Sequence, residues 1–106
     1  MQFFALSGDA AMLSGFRLVG INGKEVKTEN ELKTEIANIL KNKDIAVLLL
    51  SEGLVNLCRG YILNLKLKLK MPLIVEIPDD LNLDETFEKD MADYIYKATG
   101  MSFAVT

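Results

Sequence analysis

The chain has 106 residues, 50% hydrophobic and 25% charged, with a net charge of −3; that is one domain's length, with apolar material for a core and too much of it for a disordered chain. The acidic balance argues against a general nucleic-acid binder, which needs a basic footprint. There is no histidine and a single cysteine, Cys58, which removes imidazole base chemistry, Cys–His and Ser–His nucleophile pairs, His-ligated metals and any intramolecular disulfide.

In chain order, Gln2 to Leu6 is a short apolar run closed by the turn signal Ser7-Gly8-Asp9, and it reads as strand one. Asp9 then serves as the N-cap of a helix, its carboxylate accepting from free first-turn amides. Met12, Leu13, Phe16 and Val19 repeat at helical spacing, and Gly20 ends the helix in a left-handed conformation. Asn22-Gly23 leads into a brief second strand around Lys24 to Val26. Thr28 opens the second helix with Glu31 at capping-box spacing, and Leu32, Ile36, Ile39 and Leu40 form its buried stripe.

Ile45 to Leu50 is a continuous apolar run, bounded by Asp44 and Ser51, and reads as a strand covered on both faces. It is six residues long, far short of the roughly 20 that a membrane span needs. Ser51 is expected to cap one third helix running through Leu54, Val55, Cys58, Tyr61, Ile62 and Leu65. Leu73 to Ile77 is the fourth strand, stopped by Pro78-Asp79-Asp80. The last helix is expected from Leu83 to Thr99, with Asn82 as N-cap, Glu85 completing a capping box, and a stripe of Phe87, Met91, Tyr94, Ile95 and Ala98. Gly100 ends it.

Four strands joined by helices imply right-handed crossovers within one parallel sheet, in a single domain over residues 1–106. The expected strand order is 2-1-3-4, an α/β fold of flavodoxin-like, Rossmann-like type with a C-terminal helix. No basic region precedes an apolar stretch at the start, so no signal peptide is expected. A cytoplasmic protein fits, and work at a membrane would need recruitment by another protein.

Such sheets place ligands at the strand C-terminal ends, here Ser7-Gly8-Asp9, Lys27-Thr28, Ser51-Glu52-Gly53 and Pro78-Asp79-Asp80. A phospho-receiver needs an Asp ending strand three, paired acids after strand one and a late Lys; here strand three ends in Ser51-Glu52, Asp44 sits at its wrong end, and only Asp9 follows strand one. Gly15, Gly20 and Gly23 fit neither a dinucleotide fingerprint nor a P-loop. Asp79, Asp80, Asp84 and Glu85 read as a solvated turn with charge favourable to a helix N-terminus, ahead of a divalent-ion site. Lys66, Lys68 and Lys70 alternate with Leu65, Leu67 and Leu69, as in a half-buried segment holding its charges in water and protecting an edge, ahead of a partner-facing stripe. Cys58 lies on an apolar face and reads as a core cysteine. No residue is assigned to catalysis, a cofactor or a metal. Beyond Gly100, the apolar residues Met101, Phe103, Ala104 and Val105 must fold back or dock on another protein.

Several strings, in order, resemble the F subunit of V/A-type ATPases. They are Gly8-Asp9 after strand one, Gly15-Phe16-Arg17-Leu18-Val19-Gly20, Asp44 to Leu50 followed by Ser51-Glu52, and Pro72-Leu73-Ile74-Val75-Glu76-Ile77-Pro78. The closing helix, Gly100 and the total length agree, so the resemblance spans nearly the whole chain. The family often ends in an aliphatic and acidic stretch, where this chain has Met101-Ser102-Phe103-Ala104-Val105-Thr106. The resemblance implies a non-catalytic component of the central rotor stalk, bound to the coiled coil of the D subunit beneath the catalytic headpiece, with a C-terminal helix linked to coupling between ATP turnover and proton or sodium transport. No direct insertion into the membrane is implied.

Interfaces of that kind rest on a few aromatic or arginine anchors. The partner-binding candidates are Arg17, Met91, Tyr94, Ile95 and Phe103, with core packing the competing role for Met91 and Ile95. An alternative is a stand-alone flavodoxin-like regulator that takes a phosphate-bearing ligand at Ser7-Gly8-Asp9.

Overall fold

The computed structural model describes residues 2–80 and 87–100. Its elements are β1 (Gln2–Ser7), α1 (Ala10–Leu18), β2 (Asn22–Glu25), α2 (Glu29–Leu40), β3 (Ile45–Ser51), α3 (Glu52–Leu57), α4 (Arg59–Lys68), β4 (Leu73–Ile77) and α5 (Phe87–Thr99). All strand pairs are parallel, in the order β2-β1-β3-β4. This is the expected arrangement. The expected start of the last helix, with Asn82, Leu83 and Glu85, lies outside the described residues, as does the tail from Met101.

Local chemistry accounts for most boundaries. The Asp9 carboxylate accepts the Ala11 amide at 2.9 Å and opens α1. At its other end Gly20 has φ 86°, the left-handed region that costs glycine little. The Gly20 amide donates to the Arg17 carbonyl at 3.1 Å and Ile21 donates to Phe16 at 2.9 Å, the paired bonds of a Schellman ending. Phe16 and Ile21 are both buried in the same core cluster, which supplies the apolar contact that accompanies this motif. The Thr28 hydroxyl accepts the Glu31 amide at 3.1 Å and donates to the Glu31 carboxylate at 3.1 Å, starting α2. Val26 leaves β2, yet its amide still donates to Ser7 at 3.0 Å and its side chain is buried.

The sheet separates two cores. On one face Met12, Leu13, Phe16 and Val19, together with Ile95 of α5, cover Ala5, Val47, Leu49, Val75 and Ile77. On the other, side chains of α2, α3 and α4 cover Leu6, Leu48, Leu50 and Ile74. The period-2 alternation of a strand divides Val47 and Leu49 from Leu48 and Leu50, so β3 is buried along its whole length. The pairing of β1 with β3 slips between Gln2↔Ile45 and Phe3↔Val47, which leaves Ala46 as an extra residue.

Two expectations are corrected. The single third helix is two: Cys58, at φ −151° and ψ 55°, separates α3 from α4. Cys58 is buried in the core at the break, Arg59 beside it pairs with Glu76 of β4 at 3.0 Å, and Gly60 weakens the helix locally. Ser51 has the extended backbone of an N-cap but its side chain makes no capping bond; it is the last residue of β3 and is buried with the strand.

Candidate functional site

In an order of 2-1-3-4 the connections leaving β1 and β3 depart to opposite sides, and their C-terminal ends frame a crevice. That crevice is present, with a volume of about 340 Å³. All four strand-end sets foreseen from the sequence meet there, contributing Ser7, Asp9, Lys27, Ser51, Gly53 and Asp79. The backbone around it is tied locally. The Ser7 hydroxyl accepts the Asp9 amide at 3.0 Å and donates to the Met12 sulfur at 3.5 Å. Lys27 reaches across to donate to the Gly8 carbonyl at 2.9 Å. The Asp79 carboxylate packs so closely over Gly53 that a Cβ there would stand 3.2 Å from its oxygen.

The chemistry of this set is limited. One ammonium faces two carboxylates, of which Asp9 is engaged as a helix cap. Neither serine has an imidazole to take its proton, because the chain contains no histidine. Among the described residues no three Cys, Asp or Glu side chains gather as metal ligands. Cys58 lies apart from the crevice in the second core, and burial pushes its thiol pKa up, with the nearby Glu29 charge adding to the effect. A buried thiol held protonated is a packing group and a poor nucleophile.

Of the sequence-derived partner candidates, Arg17 lies on α1 and Met91, Tyr94 and Ile95 lie on α5. Arg17 is exposed in the last turn of α1, followed by the exposed Leu18. Tyr94 is half-buried, and its hydroxyl donates to the Glu76 carbonyl of β4 at 2.7 Å. Burial, with the charges of Glu76 and Glu52, raises its phenol pKa. Ile95 is fully buried in the first core, so any part it takes in an interface runs through holding α5 in place. Phe103 and the side chain of Met91 lie outside the described residues. Periodicity put Tyr94 and Ile95 on one helix face; it carried no signal for the hydrogen bond that binds Tyr94 to an edge strand.

The parallel 2-1-3-4 sheet with helices on both faces defines a flavodoxin-like α/β domain with a crevice at its switch point. Residues 5–95 match the family described as ATP synthase (F/14-kDa) subunit, and the chain belongs to that family. It is similar to the F subunit of the A-type ATP synthase of Methanothermobacter thermautotrophicus, with 28% identity over 98 residues that cover 92% of each chain.

Proposed function

We propose that this chain is a non-catalytic part of the central stalk of a V/A-type ATPase. In this reading it rides on the coiled coil of the D subunit beneath the catalytic headpiece and supports the coupling of ATP hydrolysis or synthesis to proton or sodium transport. The observation that carries the reading is the family match across residues 5–95. Among the described residues no helix is long and apolar enough to cross a membrane, and the proposed attachment to the membrane sector is through the complex.

The proposed contact face is the α1–α5 layer, with Arg17 and Tyr94 as anchors, Ile95 holding α5 in place from the core, and Met91 and Phe103 as further contacts. Co-expression with the D subunit should give a one-to-one complex by size exclusion with light scattering. Arg17→Glu should weaken that complex about tenfold or more, as expected for an interface anchor. Its melting temperature should fall by no more than several degrees, because Arg17 is exposed and the change only puts an anion in the last turn of α1. Failure of the wild-type pair to associate at micromolar concentration would overturn the proposal.

A further inference from the structure

The strongest feature that this reading leaves unused lies on the opposite layer of the sheet. Residues 59–71 hold Arg59, Lys66, Lys68 and Lys70 and no Asp or Glu, within a chain whose net charge is −3. Arg59 is paired with Glu76. Lys66, Lys68 and Lys70 have no ion-pair partner among the described residues. A helix C-terminus welcomes cations, which accounts for Lys66 and Lys68 in the last turn of α4. It does not account for the apolar side chains exposed among them: Leu63 is 56% exposed, Leu67 79% and Met71 57%.

Helical spacing gathers part of this set. Arg59, Leu63, Lys66 and Leu67 follow one another at steps that keep them on one face of α4. Beside that face is a groove of about 150 Å³ lined by Val55, Ile62 and Leu63, with Arg59 and Lys66 at its rim. An apolar floor under a rim that carries the unpaired Lys66, with Arg59 already facing Glu76, fits an apolar side chain with a carboxylate beside it.

We propose that the α4 face is a second docking surface, separate from the α1–α5 layer, and that its occupant is an acidic amphipathic helix of a protein partner. Charge complementarity selects this occupant. A second copy of the chain would bring one cationic α4 face against another, and like charges oppose that contact. A flat anionic bilayer would meet the lysines but leave the concave groove unfilled. A helix with leucines at i and i+4 and glutamates beside them satisfies both the floor and the rim, in the helix-in-groove mode of recognition.

The test uses the whole chain, ¹⁵N-labelled, and a synthetic helical peptide with leucines at i and i+4 flanked by glutamates. Saturable amide shifts should appear at Leu63, Lys66 and Leu67, while Arg17 and Tyr94 stay unmoved. Lys66→Glu combined with Leu67→Gln should weaken binding about tenfold or more. Both side chains are exposed, so the variant should fold, with a fall of no more than several degrees in melting temperature from placing an anion in the last turn of α4, and a melt of the variant checks that it has folded. A peptide with lysines in place of the glutamates should bind the wild-type chain at least tenfold more weakly. The proposal is overturned if no saturable shifts reach α4, if the folded double variant binds as well as the wild type, or if phosphatidylglycerol vesicles shift the α4 amides where the acidic peptide does not.

Discussion

At Gly23 β2 lies close against β1 and α1, and Gly23→Ala measures that approach. Gly23 pairs with Ala5 of β1, and a Cβ at position 23 would stand 2.6 Å from the Ala5 carbonyl oxygen and 2.8 Å from a Leu13 methyl. Ordinary carbon–oxygen approaches are about 3.3–3.6 Å, so something must move by about 0.7 Å. The Leu13 methyl belongs to a side chain packed in the first core, and the oxygen belongs to the backbone of a strand held on both sides. The cheaper escape is for β2, an edge strand, to slide outward and stretch its bonds to β1. Overpacking of this kind costs about 1–3 kcal/mol, and the reduced freedom of the unfolded chain returns about 0.4–1 kcal/mol. The midpoints of these ranges leave an expected net loss of about 1.3 kcal/mol by urea denaturation, or roughly 5–10 °C in melting temperature for a domain near this size. Amide exchange should speed up at Val26, whose N–H bonds to Ser7 across the same strand pair. Gly60→Ala is the matched control, since nothing lies within 4 Å of a Cβ there; within a helix it should stabilise by about 0.5–1 kcal/mol. A Gly23→Ala protein as stable as the wild type would refute the steric argument.

Phe16 is fully buried in the first core, and Phe16→Ala should cost about 3–5 kcal/mol; an unchanged denaturation midpoint would contradict the packing described for α1. Cys58 should react with iodoacetamide at pH 8 about tenfold or more slowly than a free cysteine and speed up in urea, because burial raises its pKa. Equal rates in the two conditions would show an open thiol. Tyr94 has a raised phenol pKa in the folded chain, so its contribution to stability is intact below about pH 10, the unfolded phenol value, and is lost as pH rises through the folded one. Tyr94→Phe should flatten that alkaline loss and cost about 0.5–1.5 kcal/mol near neutral pH; an unaltered alkaline profile would exclude Tyr94 as its source.

What could be read ahead of the structure were the features whose causes are local. Asp9, Thr28 and Gly20 act on amides and carbonyls within a few residues, so their roles follow from spacing. The unbroken apolar run of β3 announced burial on both faces, and alternating strands and helices restricted the sheet to few topologies. The strand-end crevice followed from the topology, and Ser7, Lys27, Ser51 and Asp79 meet there as expected.

Other features depend on partners distant in sequence. The break at Cys58 was invisible because Leu54, Val55, Cys58, Ile62 and Leu65 keep a helical spacing across it, and both short helices serve one core. Nothing near Ser51 signalled that its hydroxyl would leave α3 uncapped. The close approach at Gly23, the bond from Tyr94 to Glu76 and the pair of Arg59 with Glu76 each join residues 10 to 18 positions apart. Helical periodicity likewise could not separate Ile95, sealed in the core, from Tyr94, which reaches an edge strand. Short-range hydrogen bonding and hydrophobic period are properties of a string of residues; which side chains a helix meets across a sheet is settled only when the layers pack.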